Sequence, residues 1–263
     1  MRDLVGSSDI VMITLDTLRY DVAQAAFWDG DLPGMASLLP ATGWEPRHSP
    51  ASFTYAAHHA FLAGFLPTPL DPGPHPRRFA AEFAGSTSTV DETFTFQESS
   101  LPEALAVRDY RTVCIGGTGF FNGRNALSRV LPGLFGEAYW SPEMGVTGRQ
   151  SEVRQVEQAL SVLGMAGSQR VFLLLNVAAL HQPNWFYLED QVGEVDSLES
   201  HRAALRAVDR ALVPLWEALR ARGSAFVMLF ADHGTAYGEG GYQGHRVGHE
   251  VVWTVPYAEF LLS

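Results

Sequence analysis

The chain contains no lysine: all 18 of its basic residues are arginine. A Schiff-base lysine, a lysine nucleophile and the phosphate-gripping lysine of a P-loop are thereby excluded. The single cysteine, Cys114, excludes an internal disulfide and a thiolate zinc site. It falls in the apolar stretch TVCI and reads as core. No apolar run reaches membrane-spanning length, and no early segment has the basic, apolar and small-residue order of a secretory leader. These absences predict a soluble, cytoplasmic protein with no membrane partner. Positive charge is also scarce, with 18 basic against 29 acidic residues and a net charge of −11. A nucleic-acid partner is excluded, since it would need a basic patch. A small anionic substrate would need a local positive source, a metal or an arginine. Oligomeric state is not encoded in these totals.

What is present is an α/β pattern. At 263 residues and 46% apolar composition, the chain suits one large domain spanning 1–263. AFVMLFADHG, from Ala225 to Gly234, is an apolar run that stops at Asp232-His233-Gly234 and fits a buried parallel strand. DIVMITL, from Asp9 to Leu15, is a likewise buried strand that ends at Asp16. RTVCIGG at 111–117 and VFLLLNVA at 171–178 are further strands, the second leading to Leu180-His181-Gln182-Pro183. YAEFLL closes the sequence as a last strand. Helices fall between them. Ser197 to Gly223 carries Leu205, Val208, Leu212, Leu215 and Leu219 at three-to-four spacing, with Pro214 as a candidate kink. Ser100, Pro102 and Glu103 open another, and 149–167 forms a third. In RHSPASFTYAAHHAFLAGFLP, from Arg47 to Pro67, Ser52 is a candidate cap. Thr54 then falls in the first helical turn, where free N–H groups and the helix dipole favour an anion. His58 lies four residues on, on the same face. Residues 68–99, rich in Pro, Gly, Ser and Thr, read as a long surface excursion with Arg77 and Arg78 as candidate anion contacts. Residues 118–148 read as a lid, a pocket wall or packed loop.

Alternating strands and helices imply a mostly parallel sheet covered on both faces, a three-layer α/β sandwich. Parallel order sets the carboxyl ends of the strands on one edge, where ligands bind. Asp16, His181, Asp232 and His233 converge there, and Thr54 joins them from its helix start. Two carboxylates, an imidazole and a hydroxyl are the donor set of a divalent-metal site. A metal there lowers the hydroxyl pKa and offsets charge on an oxyanion, and in-line attack on phosphorus needs little beyond positioning and charge stabilisation.

The ordered segments TLDTLRYD, SPASFTYAAHHAFLAGFLP, LHQP, HRAALRAVDRALVPLWEALRARG followed by FADHG, and GHRVGHEVVWTVP resemble the motifs of the sulfatase-like hydrolases of the alkaline phosphatase superfamily, over roughly residues 9–256. The resemblance implies an alkaline phosphatase-like fold lacking the usual C-terminal subdomain. It implies a divalent metal (Mn, Zn, Mg or Ca) held by Asp16, Thr54, Asp232 and His233. It also implies substrate contacts from His58, which stands at the position of a family arginine, from His181, and from His245 rather than His249. Sulfatases carry a Cys or Ser, converted to formylglycine, where this chain has Thr54. Threonine cannot form that aldehyde, and it resembles instead the nucleophile of the superfamily's phosphotransferases, phosphodiesterases and phosphonate hydrolases. A second family Asp is Thr17 here, and the carboxylate of two-metal members is Val177, beside Asn176. One tight metal with a second possible is therefore expected. The function expected is a metal-dependent hydrolase or transferase of a phosphate ester, phosphodiester or phosphonate, with Thr54, His181 and His245 catalytic. Two alternatives stay open: a catalytically inactive metal- or anion-binding member, and a sulfatase.

Overall fold

The computed structural model of the chain describes residues 2–64, 77–79, 93–95, 99–189 and 193–263. The side chains of Arg77 and Arg78 lie outside the described residues. So does most of the connection read at 68–99, apart from the backbone pairing of Arg77–Phe79 with Thr93–Thr95. Among the described residues the main sheet has β1 (Asp9–Leu15), β2 (Glu45–His48), β3 (Arg111–Ile115), β4 (Glu137–Tyr139), β5 (Val171–Val177), β6 (Ala225–Phe230) and β7 (Thr254–Leu262). Their spatial order is β2-β7-β6-β1-β5-β3-β4. The five strands from β6 to β4 run parallel, and β7 returns antiparallel beside β6 and β2.

The alternation of side chains along a strand divides the core into two layers. Val11, Ile13 and Leu15 of β1 face one side, where they meet α1 (Tyr20–Trp28), α3 (Ser151–Met165) and α4 (Leu198–Arg222). Ile10 and Met12 face the other, with Tyr55 and Leu62 of α2 (Thr54–Ala63), Phe121, Leu131 and Phe135. The expected three-layer α/β architecture is the one observed. The apolar stripe of α4, Leu205, Val208, Leu212, Leu215 and Leu219, is buried against the sheet. Each such side chain contributes about 1.5–3 kcal/mol of transfer free energy. The helix runs without interruption through Pro214. A capping box of Ser197 and Ser200 starts it, and another of Ser100 and Glu103 starts the short helix Leu101–Ala106, the second as its spacing predicts. Ser52 does not cap α2: the N-cap is Phe53, with no side-chain cap bond, and the Ser52 carbonyl instead accepts from the Arg246 N–H at 2.8 Å. Cys114 is buried core, and burial pushes its thiol pKa up.

Candidate active site

The three central strands β6, β1 and β5 are parallel neighbours, so their carboxyl ends open side by side. Asp16 follows β1 directly, Asp232 and His233 follow β6, and His181 follows β5. Thr54 arrives from the opposite layer as the first residue of α2. Ligating atoms of Asp16, Asp232 and His233 all lie within 4.8 Å of one another. The Thr54 hydroxyl Oγ1 stands 3.3 Å from Asp16 Oδ2 and 3.3 Å from His233 Nε2. All four side chains are buried. Gly234 allows this convergence: a Cβ there would come within 2.0 Å of the Val251 carbonyl oxygen, so any other residue would push the His233 turn off the short helix Glu250–Trp253 behind it.

Each carboxylate has one oxygen held by the protein and one left over. Asp16 Oδ2 accepts from Asn176 Nδ2 at 3.0 Å and from Thr54, while Asp232 Oδ1 accepts from the backbone N–H groups of Thr17 at 3.3 Å and His233 at 3.0 Å. Asp16 Oδ1 and Asp232 Oδ2 are buried without a hydrogen-bond partner among the described residues. Burial raises both carboxyl pKa values, and for Asp16 the neighbouring charge of Asp232 raises it further. Two unpartnered buried oxygens on adjacent acids are costly unless a cation lies between them. His233 donates from Nδ1 to the Gly234 carbonyl at 2.9 Å, which leaves Nε2 as a lone pair facing the same point. Burial lowers its pKa and favours that neutral, ligating form. Two carboxylate oxygens, one imidazole nitrogen and a hydroxyl fit a divalent cation of hard or borderline character. Among the described residues no other group of three such side chains meets this way.

His58 does not enter the cleft. It is fully buried, with Nδ1 2.9 Å from the Thr54 carbonyl and Nε2 2.9 Å from Thr14 Oγ1, so neither nitrogen is left for substrate. The expected substrate contact is corrected to a place beneath the first turn of α2. Burial pushes the His58 pKa down to about 4, so the ring is neutral near pH 7.

Beside Thr54 lies a cleft of about 250 Å³ whose walls include Thr118, Phe120, Asn125, His181 and His245. The 118–148 segment is thus a pocket wall in part. Larger surface grooves exist, one of about 490 Å³ bounded by Tyr20, Trp44 and Tyr257, but they hold none of the convergent acids and imidazoles. His245 packs its ring 4.7 Å from that of His233 and 5.3 Å from that of His181. Burial, then the two neighbouring imidazoles and Arg246, lower its pKa to about 3. It comes in on a short hairpin, Ala236–Tyr237 paired with Gln243–Gly244, with Gly238, Gly240, Gly241 and Gly244 at positive φ. The hairpin is pinned from below. The buried Arg19 guanidinium pairs with Glu239 and Asp21, and Asn184 Nδ2 donates to the Tyr237 hydroxyl at 2.9 Å. His201 sits in the same layer, donating to the Leu180 carbonyl and accepting from the Arg19 N–H.

The polar residues inside the strands escape a sequence reading. Thr14 and Asn176 sit in the apolar runs DIVMITL and VFLLLNV, yet their side chains meet across paired strands. Asn176 Oδ1 accepts from the N–H groups of Gly117 and Thr118 at 3.2 and 3.1 Å. Arg19, which pins the hairpin, was equally invisible. The available signal was a polar residue interrupting an otherwise continuous apolar strand. Val177, one residue from Asn176, faces the hydrophobic layer, so no carboxylate stands where two-metal members carry one.

The fold is that of the alkaline phosphatase superfamily. Within it the chain belongs to the sulfatase family, whose model, described as Sulfatase, matches residues 47–257. Three solved structures show the likeness. The C-terminal periplasmic domain of the phosphoethanolamine transferase EptC from Campylobacter jejuni matches with a TM-score of 0.64 at 9% identity, over 97% of this chain and 79% of that one. The C-terminal periplasmic domain of EcEptC from Escherichia coli, in complex with Zn, gives 0.66 at 14% identity, over 98% and 74%. A protein in the alkaline phosphatase superfamily from Vibrio parahaemolyticus gives 0.61 at 16% identity, over 96% and 60%. At such identities the likeness is one of fold. No curated protein matches the chain by sequence.

These structures overturn the expectation of a cytoplasmic protein, because the EptC domains that share the fold are periplasmic. That expectation rested on absences, of a leader-like early segment and of a membrane-spanning apolar run, and an absence carries no address. No helix among the described residues is long and apolar enough to cross a membrane.

Proposed function

We propose that the protein is a metal-dependent hydrolase or transferase acting on a phosphate ester, phosphodiester or phosphonate, with Thr54 as nucleophile. The observation that carries this reading is the Thr54 hydroxyl, 3.3 Å from both Asp16 Oδ2 and His233 Nε2 and beside two buried, unpartnered carboxylate oxygens. A phosphoethanolamine transferase and a zinc complex among the proteins of like fold support the same class.

Asp16, Asp232 and His233, joined by the Thr54 hydroxyl, are the residues that would hold the cation. Their mixed O and N donors suit Zn or Mn, with Mg and Ca less well matched. When bound, a divalent ion supplies Lewis acidity, lowering the pKa of a hydroxyl and offsetting oxyanion charge. Thr54 Oγ1 bonds to phosphorus, and the bond to the departing alcohol breaks in line. Water, or a second alcohol, then attacks the phosphothreonine and frees Thr54. His181 donates from Nδ1 to the Gln182 carbonyl and so presents Nε2 to the cleft. His245, neutral near pH 7, stands beside it. The two rings orient the substrate oxygens and the leaving group.

The test is turnover of p-nitrophenyl phosphate and bis(p-nitrophenyl) phosphate with Mn, Zn, Mg and Ca, by wild type and Thr54→Ala. Metal-dependent turnover is expected, with a loss of roughly 1,000-fold or more in the variant and a phosphothreonine adduct trapped by acid quench. Full activity of Thr54→Ala would remove the nucleophile. A second reading, a non-catalytic metal-binding member, draws on Thr17 standing where the family carries a second Asp. Tight metal binding with no turnover across the screen would favour it.

A further inference from the structure

We propose that Thr14 is a positioning residue, the middle of a buried relay that fixes the nucleophile-bearing turn of α2 against the Asp16 carboxylate. The inference rests on the reading of Thr54 as nucleophile.

The relay has one arrangement of protons. Asn176 Oδ1 accepts from the backbone N–H groups of Gly117 and Thr118, so the amide cannot be turned round and its Nδ2 must face β1. From there Nδ2 donates to Asp16 Oδ2 at 3.0 Å and to Thr14 Oγ1 at 3.2 Å. The Thr14 oxygen is therefore an acceptor towards Asn176, and its one hydrogen goes to His58 Nε2 at 2.9 Å. That makes Nε2 an acceptor and puts the ring proton on Nδ1, which donates to the Thr54 carbonyl at 2.9 Å. Thr14, His58 and Asn176 are all wholly buried, so water does not substitute for any member. One amide thus holds both the acid and, through a hydroxyl and an imidazole, the peptide group of the residue that attacks. Thr14 and Asn176 are register partners in neighbouring parallel strands at the centre of the sheet, so the relay is anchored on the strands that carry Asp16 and lead to His181. Positioning errors of about 1 Å cost on the order of 100-fold in rate, and a linkage of this kind removes that freedom.

Three proteins decide it: wild type, Thr14→Val, which keeps the shape and removes the hydroxyl, and Thr14→Ser, which restores it. With bis(p-nitrophenyl) phosphate as probe, Thr14→Val should lose at least tenfold in kcat. Its KM and its zinc Kd, read by competition, should stay within about threefold of wild type, and Thr14→Ser should recover to within about threefold. A merely structural hydroxyl would shift thermal unfolding of Thr14→Val and leave kcat of the folded enzyme in place. That result, or a serine variant as impaired as the valine one, overturns the proposal. A readout independent of turnover is the long-range ¹H–¹⁵N spectrum of the histidine rings. The His58 ring is expected to carry its proton on Nδ1, and a proton on Nε2 overturns the relay even if no ester is turned over. Failure of the Thr54 reading shows itself separately, as unimpaired Thr54→Ala.

Discussion

The backbone N–H of Thr17 donates to Asp232 Oδ1 at 3.3 Å, and the residue that offers it is held at φ 65°. A β-branched residue in the left-handed region costs about 1–3 kcal/mol. The turn keeps threonine because its hydroxyl donates to the Leu180 carbonyl at 3.0 Å, tying the loop after β1 to the loop that carries His181. Thr17→Val retains the strain and leaves that carbonyl without its donor. It is expected to lower unfolding free energy by about 1–3 kcal/mol in urea titrations, and Thr17→Gly, which has no strain to bear, should lose less. Equal stability of wild type and Thr17→Val would show that the hydroxyl does not hold the turn.

Asp232→Asn should move stability in opposite directions with and without metal. In the metal-free protein the two buried acids repel, and each keeps an unpartnered oxygen. An amide at 232 removes one charge and brings a donor towards Asp16, for a gain of about 0.5–2 kcal/mol. Zinc affinity should fall by roughly 100-fold or more, erasing the stabilisation that added metal confers. Thermal melts in chelator and in excess zinc measure both, and a variant less stable in chelator would contradict the account of the paired acids.

Glu239 sets a pH window. Burial alone would raise its pKa, but the hydrogen bonds from Arg19 and from the Tyr237 N–H outweigh it and take the pKa from 4.5 down to about 2. A carboxyl held below its unfolded value contributes stability that is complete above about pH 4.5 and is lost as the pH falls towards about 2. Glu239→Gln should therefore be less stable than wild type at pH 7, and the gap should close on acidification through that window. Urea midpoints between pH 7 and 3 are the measurement. A gap that is constant with pH would mean the Arg19 pair has no part in it.

Much of the fold was legible because buried parallel strands announce themselves as short apolar runs. DIVMITL matches β1 residue for residue, and the α4 stripe followed its spacing. The ends of those runs were legible only together: one acid or imidazole just past a buried strand reads equally as a turn, but several such ends set on one sheet edge do not. Asp16, Thr54, Asp232 and His233 are brought together as their positions implied. The sequence did not reveal which way a polar residue inside a run would face. Thr14 and Asn176 look like minor interruptions until two strands are set in register. His58 looked like a neighbour of the cleft because helical spacing gives a face but not what that face meets. The cap at Ser52 failed for a related reason: its carbonyl is engaged by Arg246, a contact between residues far apart in the chain.

His245 reaches the cleft on a ladder of two residue pairs studded with glycines, whereas the acids and His233 hang from the middle of the large sheet. Substitutions in that hairpin away from Glu239 and Tyr237, which tie it to Arg19 and Asn184, can therefore alter the surroundings of His245 without displacing Asp16, Asp232 or His233.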